Sequence, residues 1–270
     1  MYTRYEEIIN QINEIGKGDI VYLISDVLNL AKQTAQNGER FDKNAFIDSI
    51  LRKVGEEGTV LIPTFSWRFS SGGIFDYRNT PSESGALGNA ALKRDDFTRT
   101  KHPMYSFCVW GKDKERLFNM DPVNGYGTGT VFEYIIDNNG KALIIDLPTM
   151  NRNVICHHIE KIAGVPFRFE KEFTSDYIDW NGKRAKKTYS IYVRHYEYEA
   201  QEHLAPMNSI LEVMGVTSTR VINGIPFRVC DEKQAAELLY MDMKYNDCRN
   251  TYVYKGQKPA VHQVERFVWD

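Results

Sequence analysis

Short apolar runs alternate along the chain with segments whose apolar residues recur at helical spacing. Residues 18–25 and 58–65 predict buried strands, and residues 41–55 between them place their apolar side chains on one helix face and end at Gly55. A strand–helix–strand order is typical of an α/β sheet. We therefore expect an α/β fold with a central mixed sheet flanked by helices.

The same patterns predict further elements in both halves of the chain. Helices are expected at 2–15, 85–94, 112–120, 151–164 and 231–246, and strands at 104–111 and 141–148. Residues 166–198 alternate in polarity around Asn181-Gly182, which predicts a β-hairpin inserted as a lid. Residues 66–83 are rich in Ser, Gly, Asn and Pro and predict a long loop. No repeat or linker interrupts the pattern, so we expect one domain over residues 1–270.

Composition and charge narrow the class of protein. A formal net charge of −2 on 270 residues gives no electrostatic indication of a nucleic-acid partner. The four cysteines are widely spaced and form no CxxC, which argues against a disulfide framework or structural zinc. The first 15 residues carry charges throughout, unlike a signal peptide, and no apolar run is long enough to span a bilayer. We expect a cytoplasmic protein without a membrane partner; the sequence leaves a homo-oligomer open.

His157 and Glu160 are the strongest local candidates for chemistry. They lie three residues apart in a predicted helix that follows a buried strand, and residues three apart share one helix face. A carboxylate beside an imidazole stabilises the imidazolium and orients the ring, as a general base for an amine requires. Ligands of α/β sheets usually bind where strands end. The pattern favours a catalytic pair, although histidines on a helix are also ordinary polar residues.

Other chemistries remain open at the same segment. His157, His158 and Glu160 offer ligands for a metal-dependent hydrolase, but adjacent helical residues point about 100° apart and no HExxH motif is present. Cys156 suggests an acyl-cysteine intermediate, but helix neighbours do not face each other. We therefore expect no metal and a buried Cys156. A carbohydrate-binding module without catalysis is a further alternative, which the His-x-x-Glu pair disfavours.

Three segments carry residues suited to an anionic ligand. Residues 25–29 end the first strand and open the next element, where free backbone N–H groups can meet a phosphate. Residues 99–103 contain Arg99, Lys101 and His102, which supply cationic donors. Residues 125–130 form a Gly-rich turn without a Walker lysine, which excludes a nucleoside-triphosphate loop.

These pieces together resemble one family. The chain is similar to the aminoglycoside 3-N-acetyltransferases, whose fold differs from that of GNAT acetyltransferases. The likeness covers most of the chain and runs in order through KGDIVYLISD (17–26), EGTVLIPTFSW (57–67), FDYRNTPSESGAL (75–87), RTKHPMYSFCVWG (99–111), GYGTGTVFEYI (125–135) and NVICHHIE (153–160). The TPSxxGAL and RxxHPxxS segments are the more specific ones.

The resemblance implies a co-substrate and roles for individual residues. It implies acetyl-CoA as acetyl donor, His157 as catalytic base, Glu160 as its partner or as a carboxylate that holds the substrate amine, and Thr130 near the reacting thioester. It places Ser25, Asp26 and Val27, together with Arg99, His102 and Ser106, on the CoA side. The first motif departs from the family's usual His-Ser-Ser-Leu type, and an acidic Asp26 fits poorly beside CoA phosphates.

The acceptor of the acetyl group is expected to be the amine of an amino sugar. Enzymes that bind polycationic aminoglycosides benefit from a strongly acidic surface, and a net charge of −2 provides little of that field. On this ground we expect a nucleotide-linked amino sugar, with an aminoglycoside as the alternative. The Tyr-rich hairpin and the loop at 66–80 offer flat faces for a sugar or a base.

Overall fold

The computed structural model describes residues 2–256. Its strands are β1 (Ile20–Ser25), β2 (Thr59–Pro63), β3 (Phe75–Asp76), β4 (Thr98–Arg99), β5 (Phe107–Gly111), β6 (Lys141–Ile145), β7 (Arg168–Ile178), β8 (Arg184–Arg194), β9 (Ala200–Glu202), β10 (Thr217–Ile222), β11 (Ile225–Asp231) and β12 (Tyr252–Tyr254). Its α-helices are α1 (Tyr5–Ile8), α2 (Leu28–Gln36), α3 (Lys43–Val54), α4 (Ala86–Ala91), α5 (Lys114–Asn119), α6 (Val131–Asp137), α7 (Ile155–Ala163), α8 (Ala205–Val213) and α9 (Glu232–Tyr245).

The main sheet is mixed, as the sequence predicted. Its strand order is β10-β11-β6-β1-β2-β5-β4. The three central strands β6, β1 and β2 run parallel, and antiparallel strands extend the sheet on both sides. Because β1, β2 and β6 are parallel, their carboxyl ends lie at one edge of the sheet, where ligands of α/β folds usually bind.

Two apolar cores enclose this sheet. Successive side chains of a strand point to opposite faces, so Tyr22 and Ile24 of β1 enter one core while Val21 and Leu23 enter the other. A strand buried on both faces needs apolar residues at consecutive positions, which explains the continuous run at 20–24. A helix that crossed a membrane would need about 18 apolar residues in succession, and the helices of residues 2–256 offer no such stretch.

Several helix ends follow from local capping. Asp42 begins α3 because its carboxylate accepts hydrogen bonds from the backbone N–H groups of Asn44 and Ala45. The helix predicted at 2–15 is shorter, because α1 passes into one 3₁₀ turn at residues 9–11 and the chain is extended at Ile12. The apolar residues at helical spacing in segment 2–15 are nevertheless buried, so the spacing of apolar residues indicated burial more reliably than it indicated helix length.

The predicted hairpin forms from β7 and β8. The two strands pair in antiparallel register from Arg168 opposite Arg194 to Ile178 opposite Arg184. Gly182 turns the chain with a φ of 84°, in the left-handed region that glycine occupies at no steric cost. β3, from the long loop after β2, adds to this hairpin through β7. The base of the hairpin follows directly after α7, which brings β7 beside that helix.

Candidate active site

Helix α7 carries His157 and Glu160 on one face. The imidazole Nδ1 of His157 lies 2.9 Å from Oε2 of Glu160. α7 follows β6, so the pair sits at the edge of the sheet where the parallel strands end. The predicted pairing across one helix turn is therefore present, whereas the helix itself begins at Ile155 rather than near residue 151.

Glu160 is fully buried and is held by groups from other elements. Arg168 of β7 places Nε 2.5 Å from Oε2, and Tyr252 of β12 donates its hydroxyl to Oε1. Burial alone would raise the pKa of the Glu160 carboxyl, but His157 and Arg168 hold that pKa below its usual value. Glu160 is therefore an ionised carboxylate beside the imidazole. Neither Arg168 nor Tyr252 stood out in the sequence.

His157 is partly accessible, with 24% of its side chain exposed. The ring of Tyr126 meets the imidazole edge-on at a centroid distance of 5.9 Å. A carboxylate only accepts hydrogen bonds, so a neutral imidazole that donates Nδ1–H to Glu160 carries its lone pair on Nε2. The pair can then take up a proton at Nε2 and stabilise the resulting imidazolium.

The histidine next in sequence has a different environment. Nδ1 of His158 accepts a hydrogen bond of 3.2 Å from the backbone N–H of Gly127. Burial, with a contribution from Lys161, lowers the pKa of His158 to about 4, so its ring is neutral at ordinary pH. The structure does not bring His157, His158 and Glu160 together as a ligand set. This removes the geometric basis of the metal-dependent hydrolase considered from the sequence.

Cys156 offers a second metal hypothesis, because its sulfur groups with His157 and Glu160 within 4.8 Å. However, the guanidinium of Arg168 already occupies the carboxylate, and a fixed cation opposes a dication at the same place. Burial and the charge of Glu160 raise the pKa of the Cys156 thiol well above its usual value. Both a metal ligand and a nucleophile need the thiolate, so the environment of Cys156 suits neither role.

A groove opens where the parallel strands end. One cavity of about 300 Å³ is lined by Ser25, Trp67, Arg152 and Val154, among others. A second cavity, of about 570 Å³, adjoins it, since Ser25 and Arg152 line both. We refer to the two together as the strand-end groove. Val154 lies one helical turn before His157, whose backbone N–H bonds the Val154 carbonyl, so the groove reaches the start of α7.

The predicted residues at the end of β1 lie on this groove. Ser25, Asp26 and Val27 line the second cavity. The carboxylate of Asp26 accepts the backbone N–H of Leu28 at 3.0 Å. The carboxylate of Asp26, which fits poorly beside an anionic ligand, therefore accepts a hydrogen bond at the start of α2.

Cations that no sequence motif indicated also line the groove. Arg40, Lys43 and Arg152 border the second cavity. Arg152 has a φ of 62°, within a tight segment between β6 and α7. Arg40 and Lys43 lie together at the start of α3, whereas Arg152 lies far along the chain, so no single motif could have indicated the cluster.

Arg99, His102 and Ser106, expected on the CoA side, lie in the interior of the protein. Arg99 donates to the carbonyls of Thr64, Tyr77 and Thr80 and to the hydroxyl of Ser106.

His102 also forms its hydrogen bonds within the protein. Its Nδ1 accepts from the backbone of Met104 and Tyr105, and burial lowers its pKa to about 3. The structure does not bring Arg99, His102 or Ser106 to the strand-end groove. The polar atoms of Arg99 and Ser106 instead hold the loop after β2 against the chain segment around β4, while His102 bonds within its own segment.

The hydroxyl of Thr130 also forms its hydrogen bonds within the protein. It donates to the carbonyl of Gly127 at 2.7 Å and accepts the backbone N–H of Glu133, and so caps α6. Glu133 in turn accepts the backbone N–H of Gly129. The hydroxyl proton of Thr130 is thus donated within the turn.

Comparisons with known proteins identify the family. A model of the aminoglycoside 3-N-acetyltransferase family matches residues 34–243. Among solved structures, AAC-VIa bound to sisomicin shares 17% identity with a TM-score of 0.74, covering 91% of this chain and 99% of that chain. AAC-IIIb with CoASH shares 16% identity with a TM-score of 0.73, covering 91% and 98%. The YokD protein from Bacillus subtilis shares 17% identity with a TM-score of 0.71, covering 93% and 96%.

No curated protein sequence matched the chain. The structural neighbours confirm the expected α/β fold, and the family model confirms the resemblance read from the motifs. Since that model spans more than half of the sequence, the chain belongs to the aminoglycoside 3-N-acetyltransferase family.

Proposed function

We propose that this protein transfers the acetyl group of acetyl-CoA directly to an amine of an amino sugar, with His157 as general base. The observation that carries the proposal is the contact of 2.9 Å between His157 and an ionised, buried Glu160, next to a groove lined by cations. The family match and the CoASH complex of AAC-IIIb support the donor. A reaction that draws on acetyl-CoA also agrees with the cytoplasmic location expected from the sequence.

The chemistry balances without a further reactant. The neutral amine attacks the thioester carbonyl, its nitrogen–carbon bond forms, and Nε2 of His157 takes the released proton. The carbon–sulfur bond then breaks, and the CoA thiolate leaves and is protonated by the imidazolium. A positioned base contributes about 10²–10⁴-fold to such a step. The raised pKa of Cys156 supports direct transfer over an acyl-cysteine intermediate.

The strand-end groove is the proposed CoA site. Its first cavity is mostly apolar, with Leu23, Ile62 and Phe65 in its lining, which suits the pantetheine arm. Arg40, Lys43 and Arg152 of the second cavity suit the phosphates. Ser25 lies between the two, as expected for a residue on the CoA side.

Arg152→Asn is expected to raise the KM for acetyl-CoA by about 10-fold or more, with a smaller change in kcat. A charge-assisted hydrogen bond to a phosphate contributes about 1.5–3 kcal/mol, and about 1.4 kcal/mol corresponds to tenfold. Asn tolerates the positive φ of this position, so the change removes the charge without straining the backbone. Steady-state kinetics against acetyl-CoA measure the effect. Arg52→Ala, an exposed position on α3, is the control; equal KM values in both variants would contradict the CoA assignment.

For the acceptor, we propose an aminoglycoside. The family is named for this activity, and AAC-VIa, a neighbour with the same fold, binds sisomicin. These comparisons favour the aminoglycoside over the nucleotide-linked amino sugar, which the mild net charge had placed first.

One feature keeps the nucleotide-linked amino sugar as a second candidate. The carboxylates around His157 are paired within the chain: Glu160 with Arg168, Glu170 with Lys161, and Glu202 with Arg194. A polycation binds best to carboxylates that have no cation of their own. Paired carboxylates at this place therefore favour an acceptor with less positive charge.

Turnover of the two acceptor classes separates these proposals. We expect acetylation of sisomicin, followed as free CoA thiol, to exceed that of nucleotide-linked amino sugars. The KM for sisomicin should rise between low and physiological salt, because screening weakens attraction to a polycation. Faster acetylation of nucleotide-linked amino sugars than of sisomicin, with a KM for sisomicin that does not change with salt, would establish the second candidate. Release of thiol without any amine acceptor would contradict both.

A further inference from the structure

Arg168 joins the catalytic pair to the base of the hairpin. It is the first residue of β7 and is only 8% exposed. Besides its contact with Glu160, its Nη2 lies 3.1 Å from Nδ1 of His157, and its Nη1 donates to the Tyr192 carbonyl of β8 at 3.1 Å. A buried guanidinium thus touches both members of the pair while the hairpin holds it in place.

Nδ1 of His157 has two neighbours with opposite hydrogen-bonding requirements. The carboxylate of Glu160, at 2.9 Å, only accepts, whereas the guanidinium of Arg168, at 3.1 Å, only donates. Nδ1 can satisfy one of them at a time. Arg168 has other partners: it forms an ion pair with Glu160 through Nε, and its Nη2 donates to the hydroxyl of Tyr252 at 3.5 Å. The consistent arrangement has Nδ1–H donating to Glu160, which leaves the lone pair on Nε2.

Protonation of His157 would place two cations 3.1 Å apart in a mostly buried site. Such a contact opposes the imidazolium, because like charges repel strongly where solvent screens little. Glu160, at 2.9 Å from the same nitrogen, acts in the opposite sense. Removal of the Arg168 guanidinium is therefore expected to favour the charged form of the ring.

The buried tyrosine and cysteine side chains around the pair stay neutral. Burial, chiefly, raises the pKa of Tyr126, Cys156 and Tyr252 well above their usual values, and the pKa of Tyr105 to about 12. Burial would lower the pKa of Arg168, but Glu160 keeps it above its usual value. Within the described residues, the charges in contact with the imidazole are thus the carboxylate of Glu160 and the guanidinium of Arg168.

We propose that Arg168 is a positioning residue for His157: it anchors Glu160 in its ionised form, opposes a second cation at the imidazole, and favours the tautomer that has its lone pair on Nε2. This rests on the proposed function insofar as His157 is the base. It assigns the hairpin a part in the chemistry, because β7 carries the guanidinium to the pair.

The test follows the protonation of His157 by NMR, independently of turnover. Wild type, Arg168→Met and Arg168→Lys are labelled with ¹⁵N-histidine and titrated, and the loss of signals in His157→Asn assigns the ring. We expect the midpoint in Arg168→Met to lie about one pH unit or more above wild type, since a nearby cation is gone. Arg168→Lys should restore most of the difference. Arg194→Met, opposite Arg168 on β8, is the matched control and should leave the midpoint in place.

The pH profile of kcat/KM is then compared with the titration. If the acid limb in Arg168→Met moves upward with the NMR midpoint, both the positioning role and the base are supported. An unchanged midpoint, or wild-type His157 protonated on Nε2 instead of Nδ1, overturns the role of Arg168. A midpoint that rises while the acid limb stays in place retains the electrostatic role and overturns His157 as the base. The tautomer of the wild-type protein decides the matter if Arg168→Met fails to fold.

Discussion

Replacing His157 by Asn is expected to lower kcat by at least about 100-fold, with little change in the KM for acetyl-CoA. Asn still offers Glu160 a hydrogen-bond donor but cannot accept the proton of the amine. The loss falls on kcat because the imidazole acts in the transition state and the proposed CoA contacts lie elsewhere, on Arg40, Lys43 and Arg152. Single-turnover release of CoA thiol with saturating acceptor measures the effect.

The neighbouring histidine provides the control for this experiment. His158→Asn keeps an acceptor for the backbone N–H of Gly127, which His158 binds at 3.2 Å. Because His158 faces away from Glu160, its replacement should cost much less activity than that of His157. Comparable losses in the two variants would show that the segment as a whole, and not the imidazole of His157, supports catalysis.

What the sequence predicted correctly depends on short-range geometry. The contact between His157 and Glu160 follows from a spacing of three in a helix. The hairpin of residues 168–194 follows from alternating polarity around an Asn-Gly turn. Both structures are determined by residues close together in the sequence, so they can be predicted without the rest of the fold.

The partners of the catalytic pair could not be read in this way. Arg168 and Tyr252 reach Glu160 from two different strands, and the Tyr252 contact spans 92 positions of the chain. Their meeting depends on how the hairpin and β12 pack against α7, which no local pattern encodes. Arg152 likewise joins Arg40 and Lys43 only where the strands end.

Arg99 and His102 show the opposite difficulty. Their residue types suit an anionic ligand, and a single sequence does not reveal whether a side chain is exposed. In the structure, the guanidinium of Arg99 satisfies backbone carbonyls that would otherwise be buried without donors. The same donors that suit a phosphate also suit a buried loop.

Glu232 is expected to control how the stability of the protein depends on pH. Its side chain is fully buried at the start of α9, and Oε1 accepts a hydrogen bond of 2.8 Å from Asn153. Oε2 has no hydrogen-bond partner among residues 2–256. Burial raises the pKa of the Glu232 carboxyl to about 8, despite the bond from Asn153. Asn153 also receives the backbone N–H of Ile155, so Glu232 supports the segment that carries Arg152 into α7.

The folded protein therefore binds a proton at Glu232 that the unfolded chain releases near pH 4.5. The stabilisation is fully present below that value and is lost as the pH rises to about 8. Each pH unit in this window changes the free energy of unfolding by about 1.4 kcal/mol. Glu232→Gln keeps the acceptor for Asn153 but cannot ionise. We expect the free energy of unfolding of this variant to rise relative to that of wild type across the window, by several kcal/mol at pH 8.

Urea unfolding of both proteins at pH 5, 6, 7 and 8 measures the difference. Buried His102 and His158 have lowered pKa values and contribute an opposite slope at acid pH, but they do so equally in wild type and in Glu232→Gln. Subtraction of the two curves therefore isolates Glu232. Glu237→Gln, an exposed position on the same helix, should follow wild type throughout. Parallel curves for wild type and Glu232→Gln would mean that Glu232 is ionised in the folded protein, and that the segment around Arg152 is held by a charged contact.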